Sequence, residues 1–357
     1  MSGPGEPSPP VEPNESSAAE PLTTSAPEGR LPAEGGSDAP PSARPGSRTF
    51  SLEGRAAPGL YLIGWLGTIV GLSVIIVALL AGGGAAAVAL LILGLTVLSA
   101  GFICAAGAQA IQRRAAGRTG YAGPSPILVF VAAVAVSNLL VLAVAIVGRP
   151  LGLRGDTPAG VLLGLLVSAA VNIGLIRLLV VGTGSLSWAD MGLRPPSRGT
   201  PRDIGAGVLL GVAILYFTAF LALALSQVLA QPPPQLPEAP DLVGRLVTLV
   251  AAALIAPISE EIFFRGYVTT AWARTGSPRR AILQGGLFFA FTHTLTLGGP
   301  SFALGAQWAL FAFLVRLPVS FALGWIFLRR SIYASIAMHA AFNGLPLLLM
   351  LLPTLYR

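Results

Sequence analysis

The stretch APISEEIFFRGYV, residues 256–268, carries two adjacent glutamates and an arginine in a part of the chain that is otherwise apolar on both sides. It overlaps one of about nine long apolar runs, each near the roughly 17–25 residues that a membrane-spanning helix needs. The runs are 59–82, 85–112, 126–148, 159–182, 204–230, 246–264, 281–297, 306–328 and 332–352. The sequence therefore predicts an all-α, polytopic transmembrane helix bundle of about nine spans.

The composition supports a membrane protein and sets the N-terminal tail apart. The chain is 54% hydrophobic and 10% charged, against roughly 25% charged residues in a soluble domain. Residues 1–55 are rich in Pro, Ser and Gly and show no apolar periodicity, which predicts a disordered tail without a cleavable signal peptide. The single cysteine, Cys104, excludes an internal disulfide framework.

Arginine accounts for all 22 basic residues and sets the predicted topology. Arginines cluster after the second, fourth, sixth and eighth apolar runs, and an excess of positive charge marks cytoplasmic loops. The N-terminus is therefore expected in the cytoplasm. A bacterial plasma membrane is the expected location, because an all-arginine chain suits GC-rich coding. Since topology explains the net charge of +7, the lipid bilayer is an expected partner and nucleic acid is not.

Three titratable residues lie at similar depths in different apolar runs. At a rise of about 1.5 Å per residue, Glu260, His293 and His339 fall roughly 14–21 Å from the arginine-rich ends of their runs. His293 and His339 are the only histidines in the sequence. A charge within the membrane costs at least about 2.5–3.5 kcal/mol, so such residues normally face a protein interior or a cavity. The pattern predicts one intramembrane cluster.

Helical spacing gives the two glutamates different roles. Glu261 and Arg265 are four residues apart and share one helix face, whereas Glu260 is turned away from Glu261 by about 100°. Glu261 is expected to form an ion pair that holds its helix in place. Glu260 has no such counter-ion on its own helix and is suited to take a proton from water.

The same spacing recurs in two later motifs. His339 and Asn343, in HAAFN, share a helix face, as do Phe289 and His293, in FAFTH. Two imidazoles, a carboxylate and an amide are thus expected to line one cavity, with Phe289 packed beneath the histidine.

The motifs EEIFFR, FAFTH and HAAFN, in this order on successive predicted helices, resemble those of the intramembrane proteases grouped as the CPBP or Abi family. This family includes the type II CAAX prenyl proteases and lysostaphin-resistance-like proteins. The resemblance covers roughly 246–352, and SLSWADMGLRPP at 185–196 is similar to the segment often found ahead of that core. The expected parts are the tail at 1–55, accessory transmembrane helices at 56–230 and a protease core at 242–352.

The resemblance implies that a glutamate-activated water hydrolyses a peptide bond in a membrane-embedded or membrane-associated protein or peptide. The implied catalytic residues are Glu260, His293, His339 and Asn343, with Glu261, Arg265 and Phe289 in supporting roles. Glu260 would be the general base and His293 would position the water. The other two catalytic residues would donate hydrogen bonds to the tetrahedral oxyanion.

The sequence leaves metal dependence open. Glu260, His293 and His339 would make a three-ligand catalytic zinc site. Yet the sequence has no HExxH motif, and adjacent glutamates with an amide suit a metal-free protease. No cofactor is therefore favoured, and zinc is the alternative.

Two other classes of function fit parts of the pattern. A secondary transporter also places carboxylates and histidines at mid-membrane depth, but it usually shows two related halves. A non-catalytic membrane regulator of the same family is the second alternative. Every intramembrane acid and histidine of this chain lies in its C-terminal third, which favours the peptidase.

Two further features carry structural expectations. Arg316, deep in the eighth run, is expected to pair with Glu261 or to snorkel towards the interface, with a contact to a substrate carboxylate as the alternative. The two GVLLG sequences, 160–164 and 207–211, predict close helix packing.

Overall fold

The computed structural model describes residues 49–50, 57–237, 239 and 241–355, and these residues form helices, turns and loops without a strand. The helices longer than one turn in this described part are α1 (Pro58–Leu80), α2 (Gly84–Ala115), α3 (Pro126–Gly148), α4 (Pro158–Val181), α5 (Thr200–Leu225), α6 (Leu242–Ala273), α7 (Pro278–Thr292), α8 (Phe302–Arg329) and α9 (Ile332–Leu355). The prediction of an all-α bundle is confirmed. The predicted tail, 1–55, lies outside the described residues except for Thr49 and Phe50.

Local sequence signals account for several helix starts. Side-chain oxygens that cap the first turn come from Thr157, Asp241, Ser277 and Ser301. Such caps satisfy backbone N–H groups that have no partner within the helix. Proline occupies the first turn of α1, α3, α4, α5 and α7, where its missing N–H costs nothing.

Eight helices in the described part of the chain are long and apolar enough to cross a membrane, and α7 is the exception. It has 15 residues and ends at Thr292, so the run 281–297 is not one continuous spanning helix. Beyond it the chain turns and reaches Gly298, Gly299 and Pro300, which favour loops. At about 1.5 Å per residue α7 extends about 22 Å, short of the roughly 30 Å hydrocarbon core. A helix of this length that begins at one membrane surface ends before it reaches the other.

Helix α6 lies at the centre of the C-terminal half. It contacts α4 as well as α7, α8 and α9. Helix α5 packs along α9 and touches α8, and α1 packs against α2. Because α4 and α5 contact the helices of 242–352 directly, the packing shows no gap between the accessory part, 56–230, and the expected core. That division stays a prediction.

Two glycines of the second GVLLG sequence, 207–211, allow α5 to approach α9 closely. A side-chain carbon added at Gly207 would lie against the Ala334 carbonyl oxygen, and one added at Gly211 would lie against the Met338 carbonyl oxygen. Met338 directly precedes His339 in the sequence. The contact between α5 and α9 therefore helps to fix the position of that histidine.

The first GVLLG sequence, 160–164, does not pack against another helix in this way. A carbon added at Gly160 would meet the Arg154 carbonyl oxygen in the preceding loop, and nothing lies within 4 Å of one added at Gly164. The prediction of close helix packing is therefore wrong at 160–164. Small-residue spacing permits a close approach but does not supply the neighbouring helix.

Gly211→Leu is expected to destabilise the protein, because the neighbouring Met338 backbone cannot swing aside as a flexible side chain would. Overpacking of this kind costs about 1–3 kcal/mol, so the unfolding temperature measured in detergent should fall. Gly205→Leu is the matched control, since a carbon added there on the same helix meets nothing within 4 Å. Equal unfolding temperatures for the two variants would contradict the close contact.

The segment 185–196 is held against the arginine-rich end of α6. Asp190 Oδ1 lies 2.6 Å from an Arg274 nitrogen, and the Ser187 N–H and hydroxyl donate to Oδ2 at 2.7 and 2.8 Å. Partial burial opposes the charge on Asp190, but these hydrogen bonds and Arg274 outweigh it and lower the pKa of the carboxyl below its ordinary value. Met191 is fully buried, so the segment is packed against the bundle.

Candidate active site

Helix α6 is not regular around its glutamates. Residues Ala251–Ile255 and Ile262–Thr269 are π-helical, and the α-helical turn Ala256–Glu261 lies between them. Stretches of π-helix are rare and frequently lie at functional sites. Pro257 contributes to the first stretch, because it has no N–H to donate to the preceding turn.

Asn343 of α9 donates a hydrogen bond to a backbone carbonyl of α6 that Pro257, which has no N–H, leaves without a donor. In the π-helical register the N–H of residue i bonds the carbonyl of residue i−5, so the Ala252 carbonyl would be paired with the missing N–H of Pro257. Asn343 Nδ2 lies 3.0 Å from the Ala252 carbonyl oxygen. The amide thus joins α9 to α6 and keeps a second N–H for another acceptor.

Glu261 is fully buried, and hydrogen-bond donors surround its carboxylate. Its Oε1 accepts from an Arg265 nitrogen at 3.0 Å and from His339 Nδ1 at 2.8 Å. Its Oε2 accepts a short hydrogen bond from the Ser335 hydroxyl. The ion pair expected from the four-residue spacing is therefore present. With both oxygens engaged, Glu261 ties α6 to α9 and is poorly placed to take a proton from water.

Arg265 is also buried and joins α6 to two further helices. A second guanidinium nitrogen donates to the Ser320 carbonyl oxygen of α8 at 3.2 Å. The guanidinium carbon lies 4.2 Å from the ring centre of Phe289 in α7. A cation over an aromatic face adds an attraction of about 0.5–2 kcal/mol, so Arg265 helps to hold α6, α7 and α8 together.

Arg316 does not pair with Glu261, which corrects one of the two expectations for this residue. Donors from three other residues already occupy the Glu261 oxygens. The Arg316 guanidinium instead donates to the Ala312 carbonyl oxygen, one turn earlier on α8, at 3.3 Å.

Glu260 has different surroundings, as its rotation away from Glu261 predicts. Its side chain is 27% exposed, and its Oε2 lies 3.9 Å from His293 Nε2 and 3.8 Å from His339 Nε2. These separations are too long for direct hydrogen bonds and suit a bridging water. The three titratable residues, from α6, the end of α7 and α9, therefore meet at one partly open point.

The two imidazoles are oriented through their other nitrogens. His293 Nδ1 lies 2.9 Å from the Phe289 carbonyl oxygen, and His339 Nδ1 lies 2.8 Å from Glu261 Oε1. Because both partners are acceptors, we assign a proton to each Nδ1. Each Nε2 then faces Glu260, where it accepts a hydrogen bond when the ring is neutral and donates one when the ring is protonated.

Phe289 forms an apolar wall behind both histidines. Its ring centre lies 4.5 Å from the His293 ring and 5.8 Å from the His339 ring, and the side chain is 2% exposed. This matches the packing position expected for it and closes one side of the cluster to water.

Some contacts of the site are not evident from the three motifs. Ser335 lies one turn before His339 on α9, so the four-residue spacing used elsewhere would have identified it. Ser259 accepts a hydrogen bond from Asn172 Nδ2 of α4 at 3.2 Å, beside Glu260. No local sequence signal relates Asn172 to α6, because the contact joins distant parts of the chain.

The donor atoms of the cluster are of the kind that zinc uses, but they lie farther apart than the ligands of one zinc ion. Among the residues that the structure describes, no group of three or more His, Cys, Asp or Glu side chains is placed to hold a metal. Ligands about 2.0–2.2 Å from one tetrahedral zinc ion lie roughly 3.3–3.6 Å apart. The Glu260 oxygen lies 3.9 and 3.8 Å from the nitrogens of His293 and His339. The separations exceed those of a tetrahedral zinc site by a few tenths of an ångström, and a site without a cofactor stays a prediction.

Residues 242–345 match a protein-family model described as type II CAAX prenyl endopeptidase Rce1-like. The matched segment runs from the start of α6 into α9 and includes all three motifs, EEIFFR, FAFTH and HAAFN. Comparisons with curated proteins and with solved structures gave no match.

Proposed function

Because residues 242–345 belong to the CAAX protease (CPBP) family of membrane peptidases, we propose that the chain is an intramembrane endopeptidase in which Glu260 activates a water molecule. Its substrate is a membrane-embedded or membrane-associated protein or peptide. The convergence of His293 Nε2 and His339 Nε2 on Glu260 Oε2, at 3.9 and 3.8 Å, carries this proposal. A water held between these atoms would contact the base and both imidazoles at once.

The reaction begins with a proton transfer to Glu260. Its carboxylate takes one proton from the water as the water oxygen bonds to the substrate carbonyl carbon, and the carbonyl oxygen gains the negative charge. Protonated Glu260 then gives that proton to the leaving amine as the C–N bond breaks, which restores the carboxylate. His293 accepts a hydrogen bond from the same water through Nε2, because its Nδ1 donates to the Phe289 carbonyl.

His339 and Asn343 stabilise the oxyanion in this proposal. His339 donates its Nδ1 proton to Glu261, so a second proton on Nε2 makes the ring a cation that donates into the site. Protonated His339 lies between two carboxylates, with Nδ1 2.8 Å from Glu261 and Nε2 3.8 Å from Glu260, and their negative charges limit the cost of a cation inside the membrane. Asn343 supplies the N–H that is not used on the α6 backbone.

Asn343→Ala is expected to lower kcat by about 10²–10³-fold, the effect typical of losing one oxyanion donor. Asn138→Ala is a matched control, because Asn138 Nδ2 also donates to a backbone carbonyl within the membrane, that of Val134 at 2.8 Å, on an exposed face of α3. The control should keep the wild-type kcat in a peptide-cleavage assay. Equal losses of kcat in the two variants would contradict the oxyanion role.

Metal dependence and location complete the proposal. Two observations support metal-free hydrolysis. The Glu260 oxygen lies farther from the two imidazole nitrogens than zinc ligands lie from one another. Both carboxylate oxygens of Glu261 already accept hydrogen bonds from protein donors. The chain is a multi-pass membrane protein by its apolar helices, and we place its N-terminus in the cytoplasm of a bacterial cell. Arginines at the ends of α2 and α8 support that orientation.

The test uses the purified full chain in detergent with a library of quenched fluorescent peptides. Half of the peptides carry a farnesyl group, chosen because the family model is named for prenyl endopeptidases. Mass spectrometry of the products should show cleavage at one peptide bond. If no peptide is cut, but proteoliposomes take up a solute in a manner that depends on Glu260, the peptidase proposal is overturned in favour of a transporter.

A further inference from the structure

Arg316 lies near the middle of α8, where an arginine needs a partner. It precedes Arg329, at the arginine-rich end of the helix, by about 20 Å of helical rise. That distance is beyond the reach of one side chain, so Arg316 does not snorkel to this end of the helix. Arginines at such depth normally pair with an acid or face a cavity.

The described part of the chain supplies the Arg316 guanidinium with one hydrogen bond and no ion pair. The hydrogen bond goes to the Ala312 carbonyl oxygen at 3.3 Å. The ion pairs of the described residues involve other arginines and the two histidines. A guanidinium has five N–H donors, so most of those on Arg316 have no acceptor among the residues that the structure describes.

Arg316 nevertheless borders the candidate active site. Ser320, one turn later on α8, donates from its hydroxyl to the Arg316 carbonyl oxygen at 2.6 Å, and its own carbonyl oxygen accepts from Arg265 at 3.2 Å. Arg316 therefore lies on the part of α8 that packs against the glutamate-bearing helix, and its charge acts on Glu260 and His293 without a hydrogen bond to either. Glu261, the other acid of the site, is already satisfied by its own donors. Unused donors of a cation therefore lie beside the point where Glu260 and the histidines meet, on a helix that supplies none of the three motifs.

We propose that Arg316 binds a carboxylate of the substrate next to the scissile bond, an inference that rests on the proposed peptidase function. A carboxylate would accept two parallel hydrogen bonds from the guanidinium, the strongest pairing that this group makes. Two sources share this chemistry: the free C-terminus of a peptide cut close to its end, and the side chain of an Asp or Glu in the substrate. Arg316 is thus a specificity residue and takes no part in breaking the bond.

The experiment compares matched fluorescent, farnesylated peptides. One pair ends in either a free carboxylate or a carboxamide. A second pair has a blocked C-terminus and differs by a single Asp or Asn. Binding is measured by fluorescence anisotropy with protein carrying Glu260→Gln, so that affinity is obtained whether or not a peptide is cut. Cleavage is measured with Glu260 intact.

Three variants of the full chain are needed. Arg316→Gln removes the charge, and Arg316→Lys keeps a charge without the planar fork, which also covers the case in which Arg316→Gln does not fold. Arg279→Gln is the matched control, because Arg279 is an exposed arginine at the other end of α7 from the site.

A hydrogen bond to a charged group is worth roughly a 10–150-fold difference in affinity. Wild type and Arg279→Gln should therefore prefer one carboxylate peptide over its neutral partner by at least about tenfold. Arg316→Gln should lose that preference and Arg316→Lys should keep part of it. A preference within the first pair assigns the carboxylate to the C-terminus, and one within the second pair assigns it to a side chain.

Equal affinities within both pairs for wild type, or a preference that survives Arg316→Gln, overturn the inference. Failure of the proposed function gives a different result. If binding shows an Arg316-dependent preference but wild type cuts no peptide, the carboxylate site stands and the peptidase does not.

Discussion

Glu260→Gln is expected to lower the cleavage rate by about 10²–10⁴-fold, the contribution typical of a positioned general base, while the protein stays folded. Glutamine keeps the size of the side chain but cannot take a proton from water. The Glu260 side chain is 27% exposed, and the imidazole nitrogens that face it lie 3.8 and 3.9 Å away, so the change breaks no close ion pair. Peptide affinity and the unfolding temperature should therefore change little.

Two controls separate the charge of Glu260 from its position. Glu260→Asp keeps a carboxylate but withdraws it by one methylene, so its rate should fall between those of wild type and Glu260→Gln. Asp203→Asn removes an acid that pairs with Arg330 at 3.4 Å, near the arginine-rich end of the bundle, and should leave cleavage unchanged. If Glu260→Gln loses folded protein to the same extent as activity, Glu260 is a structural residue and not the base.

Glu261→Leu is expected to destabilise the protein by about 3–5 kcal/mol, because it leaves the buried Arg265 without its counter-ion. The substitution also removes the acceptor for His339 Nδ1–H and for the Ser335 hydroxyl, and each unpaired buried donor adds to the cost. Thermal unfolding in detergent should show a large drop, with little folded protein at the temperature at which wild type is handled.

A double variant and an exposed pair test the physical reason for this drop. Glu261→Leu combined with Arg265→Leu removes both charges and should recover part of the lost stability. Arg274→Gln breaks the ion pair with Asp190, whose side chain is 34% exposed, and should cost no more than about 1 kcal/mol. Similar unfolding temperatures for Glu261→Leu and Arg274→Gln would contradict the role given to the buried pair.

The positions of most helices are predictable because the signals are local. Long apolar runs and the arginines between them mark the membrane segments without any knowledge of packing. Helix α7 is an exception, because its apolar run is longer than the helix. Its run stays apolar through Leu297, yet the helix ends at Thr292, because hydropathy does not report where backbone hydrogen bonding stops.

Within the site, contacts along one helix are predictable and contacts between helices are not. The four-residue spacing finds Glu261 with Arg265 on α6, and it places His339 and Asn343 on one face of α9. It does not reveal the hydrogen bond between His339 and Glu261, which depends on how α9 is rotated against α6.

The π-helical stretches of α6 are a further reason why contacts between helices cannot be predicted from the sequence. A π-helical turn accommodates an extra residue, which rotates the following residues by about 100° relative to a regular helix. A helical wheel drawn from the sequence therefore misplaces the two sides of Ala251–Ile255 and of Ile262–Thr269 relative to each other. The deep position of Arg316 is visible in the sequence, but only the packing of α8 shows that no acidic residue in the described part of the chain pairs with it.

The role of Glu260 as the base is tested by the cleavage rate of one quenched, farnesylated peptide, measured for wild type and Glu260→Gln side by side in buffer with and without a metal chelator. Wild type should cleave the peptide at the same rate in both buffers, and Glu260→Gln should lose nearly all of this activity. Equal rates for wild type and Glu260→Gln would contradict the assignment of Glu260 as the base. A wild-type rate that falls with chelator and returns with zinc would contradict metal-free hydrolysis.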